Sequence, residues 1–146
     1  MINGKSFSTV NISANGWLSF GAALSSTQKF FFPLAASGGD GVIAAFAADL
    51  RGTATGQIST RLVGTAPNRS FVVQYQNWTL YNAGNATTFS MTFEIILQEN
   101  GVIRLNFSPT TNTAQFPASL VQIGLRGSST SDFAIKQNIF FGANGR

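Results

Sequence analysis

This chain has no histidine, no cysteine and only five acidic residues, Asp40, Asp49, Glu94, Glu99 and Asp132. Without histidine or cysteine, neither a Ser-His-Asp nor a Cys-His nucleophile can be built, and no metal can be held by imidazole or thiolate. The absence of cysteine also excludes a disulfide framework, although it does not exclude export. Charged residues are scarce as well, at 10% of the chain, where soluble domains usually carry roughly 25%. Uncharged Ser, Thr, Asn and Gln must therefore solvate most of the surface, a composition common on the outside of cells.

No apolar run approaches the roughly 18 residues of a membrane span, so membrane insertion is not expected. Met1–Ser6 lacks the apolar stretch of a signal peptide. The chain therefore reads as cytosolic or as a piece of a longer exported protein. The net charge of +4 and pI of about 10.1 would suit nucleic acid, but the nine Lys and Arg residues are scattered singly from Lys5 to Arg146. The high pI reflects few acids rather than a basic face, and no nucleic-acid partner is expected. At 146 residues the chain suits one domain with a sizeable core.

What is present is β-type sequence. Strands are expected at Phe7–Ser13, Trp17–Phe20, Val42–Leu50, Gln57–Val63, Ser70–Trp78, Phe89–Gln98, Val102–Ser108, Leu120–Arg126 and Phe133–Phe141. Turn clusters such as Asn15-Gly16, Ser37–Gly41, Ala66-Pro67-Asn68 and Asn82–Asn85 separate them. About nine short strands without helical crossovers point to an all-β fold, a jelly-roll-like sandwich of two antiparallel sheets. It should occupy residues 1–146 as a single domain.

One hairpin can be placed in detail. Phe89, Met91, Phe93, Ile95 and Leu97 form one apolar row, and Ile103, Leu105 and Phe107 form its match. A two-residue Asn100-Gly101 turn would split these rows between faces. A three-residue loop, Glu99-Asn100-Gly101, pairs Leu97 with Ile103 and Ile95 with Leu105, with Gly101 left-handed. On the other face Glu94 then lies diagonal to Arg104 as a surface pair. In Ser70–Trp78, alternation turns Phe71, Val73 and Tyr75 inward and puts Gln74, Gln76 and Trp78 on the opposite face. Val42–Leu50 lacks alternation and reads as a strand covered on both sides. Trp17 belongs to the core, and Phe30-Phe31-Phe32-Pro33-Leu34 reads as an irregular crossing that plugs the end of the core.

An ordered set of strings also carries a resemblance: Asn3–Phe7, Ser13–Gly21 with its Asn15-Gly16-Trp17 turn, Ile43–Leu50, Phe71–Asn77, Phe93–Ile103 and Gln122–Gly127. In this order they resemble a β-sandwich module of large secreted and cell-surface proteins of Bacteroidetes-type bacteria, many of them substrates of the gliding-associated secretion system. The module is distantly similar to the nidogen-type domain. The resemblance implies an extracellular, generally non-catalytic role. Relative to that family, an apolar strand usually found upstream of Asn3 is missing, Tyr75 stands where Trp is common, and Ala48 replaces a frequent acidic residue. The missing strand implies a clipped domain or an edge near Ile2, Phe7, Val10 and Ile12 that another chain completes.

Three sets of residues could carry chemistry. Asp40 and Asp49 are weak candidates for Ca²⁺, which needs several oxygens, but calcium loops gather more acids within a dozen residues. No cofactor and no metal are therefore expected. A glycosidase needs two carboxylates facing one cleft; Glu94 and Glu99 fall on a strand face and in a turn, so no enzyme is expected. Trp78 and Tyr81, beside Gln74, Gln76 and Asn82, are candidates for a glycan platform, since flat aromatics stack on sugars while amides bond the hydroxyls. The competing reading is that Trp78 covers the rim of the fold. The expected function is a non-catalytic extracellular surface or adhesion module that binds glycan or protein. The alternative is a subunit of a filament or surface layer built from copies of itself by strand complementation.

Overall fold

The computed structural model describes residue 2 and residues 4–25, 32–81, 90–109 and 119–141, without the side chains at 109, 119, 120 and 137–141. Among the described residues there are nine strands: β1 (Asn11–Ser13), β2 (Trp17–Phe20), β3 (Gly41–Ala47), β4 (Leu50–Val63), β5 (Ser70–Leu80), β6 (Met91–Gln98), β7 (Ile103–Pro109), β8 (Ser119–Arg126) and β9 (Phe133–Phe141). They form two antiparallel sheets, one of five strands in the order β1-β2-β3-β8-β9 and one of four in the order β4-β5-β6-β7. The expected all-β class is thus met. The chain divides into two compact units, Met1–Leu50 with Gln115–Arg146, and Arg51–Ala114.

In the first unit β3 is the centre. Every residue of Gly41–Ala47 is buried, as its continuous apolar sequence requires of a strand covered on both faces. Trp17, Leu24, Leu34, Ala36, Val42, Ala44 and Ala47 pack as one buried cluster, which places Trp17 in the core as expected. Of the Phe30–Leu34 tract, Phe30 and Phe31 lie outside the described residues. Pro33 and Leu34 are buried in a short 3-10 turn, Pro33–Ala35.

The strand expected to run through Leu50 stops at Ala47, because Asn15 takes hold of the chain there. Its backbone carbonyl accepts the Ala48 N–H at 3.3 Å, and its side-chain Oδ1 accepts the Leu50 N–H at 3.1 Å. The neighbouring Gly16, at φ 78°, accepts the Ala45 and Phe46 N–H groups on its carbonyl. A Cβ at Gly16 would stand 2.2 Å from the Phe46 carbonyl oxygen. The strand expected over Phe7–Ser13 shortens to Asn11–Ser13 for a similar local reason. Ile2 and Lys5 exchange backbone bonds around the left-handed Gly4, Lys5 pairs with Asp40, and the Phe7 ring packs on Phe20 at 5.5 Å.

In the second unit the β6–β7 hairpin has the register set by its apolar rows: Leu97 opposite Ile103, Ile95 opposite Leu105, Phe93 opposite Phe107. Gly101 is left-handed at φ 89°. Glu94 lies opposite Asn106 and so diagonal to Arg104, as that register requires, but it forms its ion pair with Arg61 at 3.5 Å rather than with Arg104. β4 begins at Leu50, ahead of the expected Gln57, and is sharply bent. A Cβ at Gly56 would meet the Gly52 Cα at 2.4 Å, whereas four residues of straight strand would separate them by roughly 13 Å.

Gly16→Ala should therefore cost about 2–5 kcal/mol, the left-handed penalty plus overpacking against Phe46. Gly101→Ala, whose Cβ would meet open space, should cost only about 1–2 kcal/mol. Urea denaturation midpoints of the two variants check this ordering.

Candidate functional site

The candidate platform is decided by a bulge in β5. Tyr75 lies opposite Phe93 and Trp78 opposite Met91, so β5 carries one residue more than β6 between these pairs. Asn77 absorbs the extra residue at φ 56°, a conformation that Asn tolerates better than most non-glycine residues. Its N–H donates to Thr92 Oγ1 at 3.2 Å, and its amide Nδ2 donates to Thr55 Oγ1 at 3.0 Å. Met91 and Phe93 share a face, so the bulge moves Trp78 onto the face of Tyr75 and away from Gln74 and Gln76.

Tyr75 stacks on Phe93 at 4.5 Å and meets Trp78 edge-on at 5.8 Å. Trp78 is only 9% exposed, and its indole N–H donates to the Gln57 carbonyl at 3.0 Å. The expected grouping of Trp78 with Gln74 and Gln76 is thus corrected: Trp78 is a buried, hydrogen-bonded member of an aromatic cluster. Burial pushes the Tyr75 phenol well above its ordinary pKa. Gln74 Nε2 donates to Glu94 Oε1 at 3.1 Å, and Gln76 is exposed. Tyr81 is 57% exposed, while Asn82 lies outside the described residues. The signal for the bulge was Asn77 itself, a residue suited to left-handed backbone in the middle of a strand.

Three of the carboxylates, Asp40, Glu94 and Glu99, are engaged in local structure. Glu94 binds Gln74, Asn106 and Arg61. Glu99 receives two bonds from the Arg69 guanidinium, at 2.9 and 2.6 Å, and the Arg69 backbone N–H at 3.0 Å. Those side-chain bonds, then the backbone one, hold the Glu99 carboxyl down at about 2. Asp40 pairs with Lys5 just before β3, and Asp49 sits half-buried just after it. The length of β3 separates these two acids by roughly 20 Å, so they cannot share a cation. Among the described residues, no three or more His, Cys, Asp or Glu gather as a metal site.

Arg126 is buried at 3% exposure and gives its Nη2 proton to the Gly38 carbonyl at 2.5 Å. Burial lowers its pKa. Its bond ties β8 to the loop ahead of β3.

A feature that sequence reasoning missed lies at the β1 edge. An open pocket of about 270 Å³ is lined by Asn11, Ile12 and Ser13 of β1, Trp17 and Ser19 of β2, and Ala23 and Leu24. Of the residues expected at an assembly edge, Ile12 is in β1 and 36% exposed. Ile2, Phe7 and Val10 are half-buried and precede the strand. Among the described residues β1 is the outermost strand on its side of the five-stranded sheet, as β9 is on the other. Phe133 and Ile135 of β9 are 48% and 38% exposed. Among the described residues, no helix is long and apolar enough to cross a membrane.

Two antiparallel sheets, with a pocket beside β1, define an all-β module. The chain belongs to the NIDO-related family, whose sequence model matches residues 1–139. No curated protein and no solved structure matches it.

Trp78→Ala should destabilise the protein by about 3–5 kcal/mol, and Tyr81→Ala by no more than about 0.5 kcal/mol; thermal denaturation measures both. The Glu99 carboxyl should titrate at about 2. Because this pKa is depressed, its stabilising contribution is present above the ordinary carboxylate pKa and fades as pH falls toward about 2. Carboxyl carbon shifts followed by NMR should show that midpoint returning to the ordinary range in Arg69→Ala.

Proposed function

We propose that this chain is a non-catalytic module of an exported bacterial cell-surface protein, and that it acts by holding another protein at an open sheet edge. Membership of the NIDO-related family supports an extracellular setting. The ordered strings from Asn3 to Gly127 support a parent among the large secreted proteins of Bacteroidetes-type bacteria. The absence of histidine and cysteine, with Asp40, Glu94 and Glu99 tied to basic neighbours, supports a role without catalysis.

The observation that carries the reading is the β1 edge. The margin of a sheet is a place where an extended segment of a partner can lie along the last strand while an adjoining pocket takes one of its side chains. The pocket beside Ile12 and Trp17 supplies that second element. A glycan platform has less support, because Trp78 is buried and of its aromatic pair only Tyr81 is exposed.

Labelled protein applied to cells of the producing organism tests this directly. Retention lost after surface proteolysis but kept after glycosidase treatment is the expected result. Retention lost to glycosidase, and reduced by Tyr81→Ala, would favour the glycan. No retention on untreated cells would contradict surface binding altogether.

A further inference from the structure

In the four-stranded sheet, the loop before β5 and the β6–β7 turn come together around a second pocket, of about 160 Å³. Asn68, Arg69 and Ser70 line it from one side, and Gln98, Glu99 and Asn100 from the other. Both walls are fixed by their own bonds. The Asn68 N–H donates to the Thr65 carbonyl at 2.8 Å, the Glu99 N–H to the Arg69 carbonyl at 2.8 Å, and the Gly101 N–H to the Gln98 carbonyl at 2.9 Å. The forked pair from Arg69 to Glu99 joins one wall to the other. A site set in place before binding loses little further freedom when a ligand arrives.

The chemistry of the lining selects the ligand. Their mutual hydrogen bonds keep Arg69 protonated and Glu99 ionised, so one positive and one negative charge balance. Neither a free anion nor a free cation is favoured there. The bonds to Glu99 use two of the five guanidinium N–H groups of Arg69, which leaves three donors. Asn100 spends its Oδ1 on the Val102 N–H at 3.1 Å, so its Nδ2 is left to donate. Ser70 lies directly opposite Gln98 and therefore shares its face. That hydroxyl and the amides of Gln98 and Asn68 offer donors and acceptors alike. A hydroxyl is the ligand group that both gives and accepts a hydrogen bond. The size is equally restrictive. A space of about 160 Å³ is close to the roughly 150 Å³ cavity that takes a benzene ring, so it admits a single six-membered ring.

We propose that this pocket binds one neutral sugar residue in its six-membered ring form. Neighbouring hydroxyls of the sugar accept from Arg69 and Asn100 and donate to Glu99 and the Gln98 amide oxygen, with Asn68 and Ser70 completing the contacts. The site goes beyond the β1 reading and does not rest on it, since its residues belong to the other sheet. Among the described residues, no aromatic side chain lines it, so stacking adds nothing. A ligand of about twelve heavy atoms held by hydrogen bonds alone binds in the millimolar range. One such sugar is too weakly held to retain the molecule on a cell by itself.

NMR titration of the purified chain tests this with four probes: the methyl glycosides of glucose, mannose and galactose, and N-acetylglucosamine. Each is added to about 50 mM, which covers the affinity expected. At least one should move the backbone amides of residues 68–70 and 98–100, and the side-chain amides of Asn68, Gln98 and Asn100, along a saturating curve. The amides of Asn11–Ser13 should stay fixed. Gln98→Ala and Asn68→Ala should each weaken binding by roughly five- to tenfold, with unchanged circular dichroism showing that the variants fold. Several results would overturn the proposal: no saturating shift from any of the four sugars, shifts centred on other residues, or either variant binding like the parent. Sodium acetate or ammonium chloride producing the same shifts at the same concentration would also overturn it, since the pocket would then take an ion.

Discussion

Direct cross-strand pairing is the constraint on which the rest of this structure depends. It carries one face through five strands, from Asn11 and Ser13 to Phe133 and Ile135, with Trp17, Val42 and Ala44 buried between them. In the middle that face is closed by Leu24, Leu34 and Ala36, which pack with Trp17 and the β3 alanines. Among the described residues the sheet ends at β1 on one side and at β9 on the other. On β1 the face carries the polar Asn11 and Ser13, and on β9 the exposed Phe133 and Ile135.

The sparse charges divide the labour differently. Arg69 with Glu99 holds the loop before β5 against the β6–β7 turn through a forked pair reinforced by a backbone bond. Lys5 with Asp40 fastens the N-terminal segment to the turn before β3. Arg61 closes a small polar group with Glu94, Gln74 and Asn106 on one face of the four-stranded sheet. Exposed pairs of this kind contribute little to stability one by one, and they hold loops and faces in place.

Much of the fold was legible from residue pattern. The β6–β7 register followed from the rows ending in Leu97 and Ile103, because only one loop length keeps both rows on one face. The cover on both sides of β3 followed from its unbroken apolar run. Four features were not read from the pattern, each because a contact outside strand alternation decides it. Asn15 ends β3 through bonds across 33 to 35 residues of chain. Gly52 and Gly56 meet in the bend of β4, which only their lack of side chains permits. Asn77 inserts a bulge that turns Trp78 to the other face, so strict alternation grouped Trp78 with the wrong neighbours. The pocket at β1 was invisible because Ala23 and Leu24 reach it from a loop.

The measurement closest to the central claim is retention of labelled protein on cells of the producing organism, compared between the parent and Ala23→Lys at the rim of the β1 pocket. If the β1 margin holds the partner, the variant should keep the parent's circular dichroism and lose most of its retention. A folded variant retained as well as the parent would contradict the account.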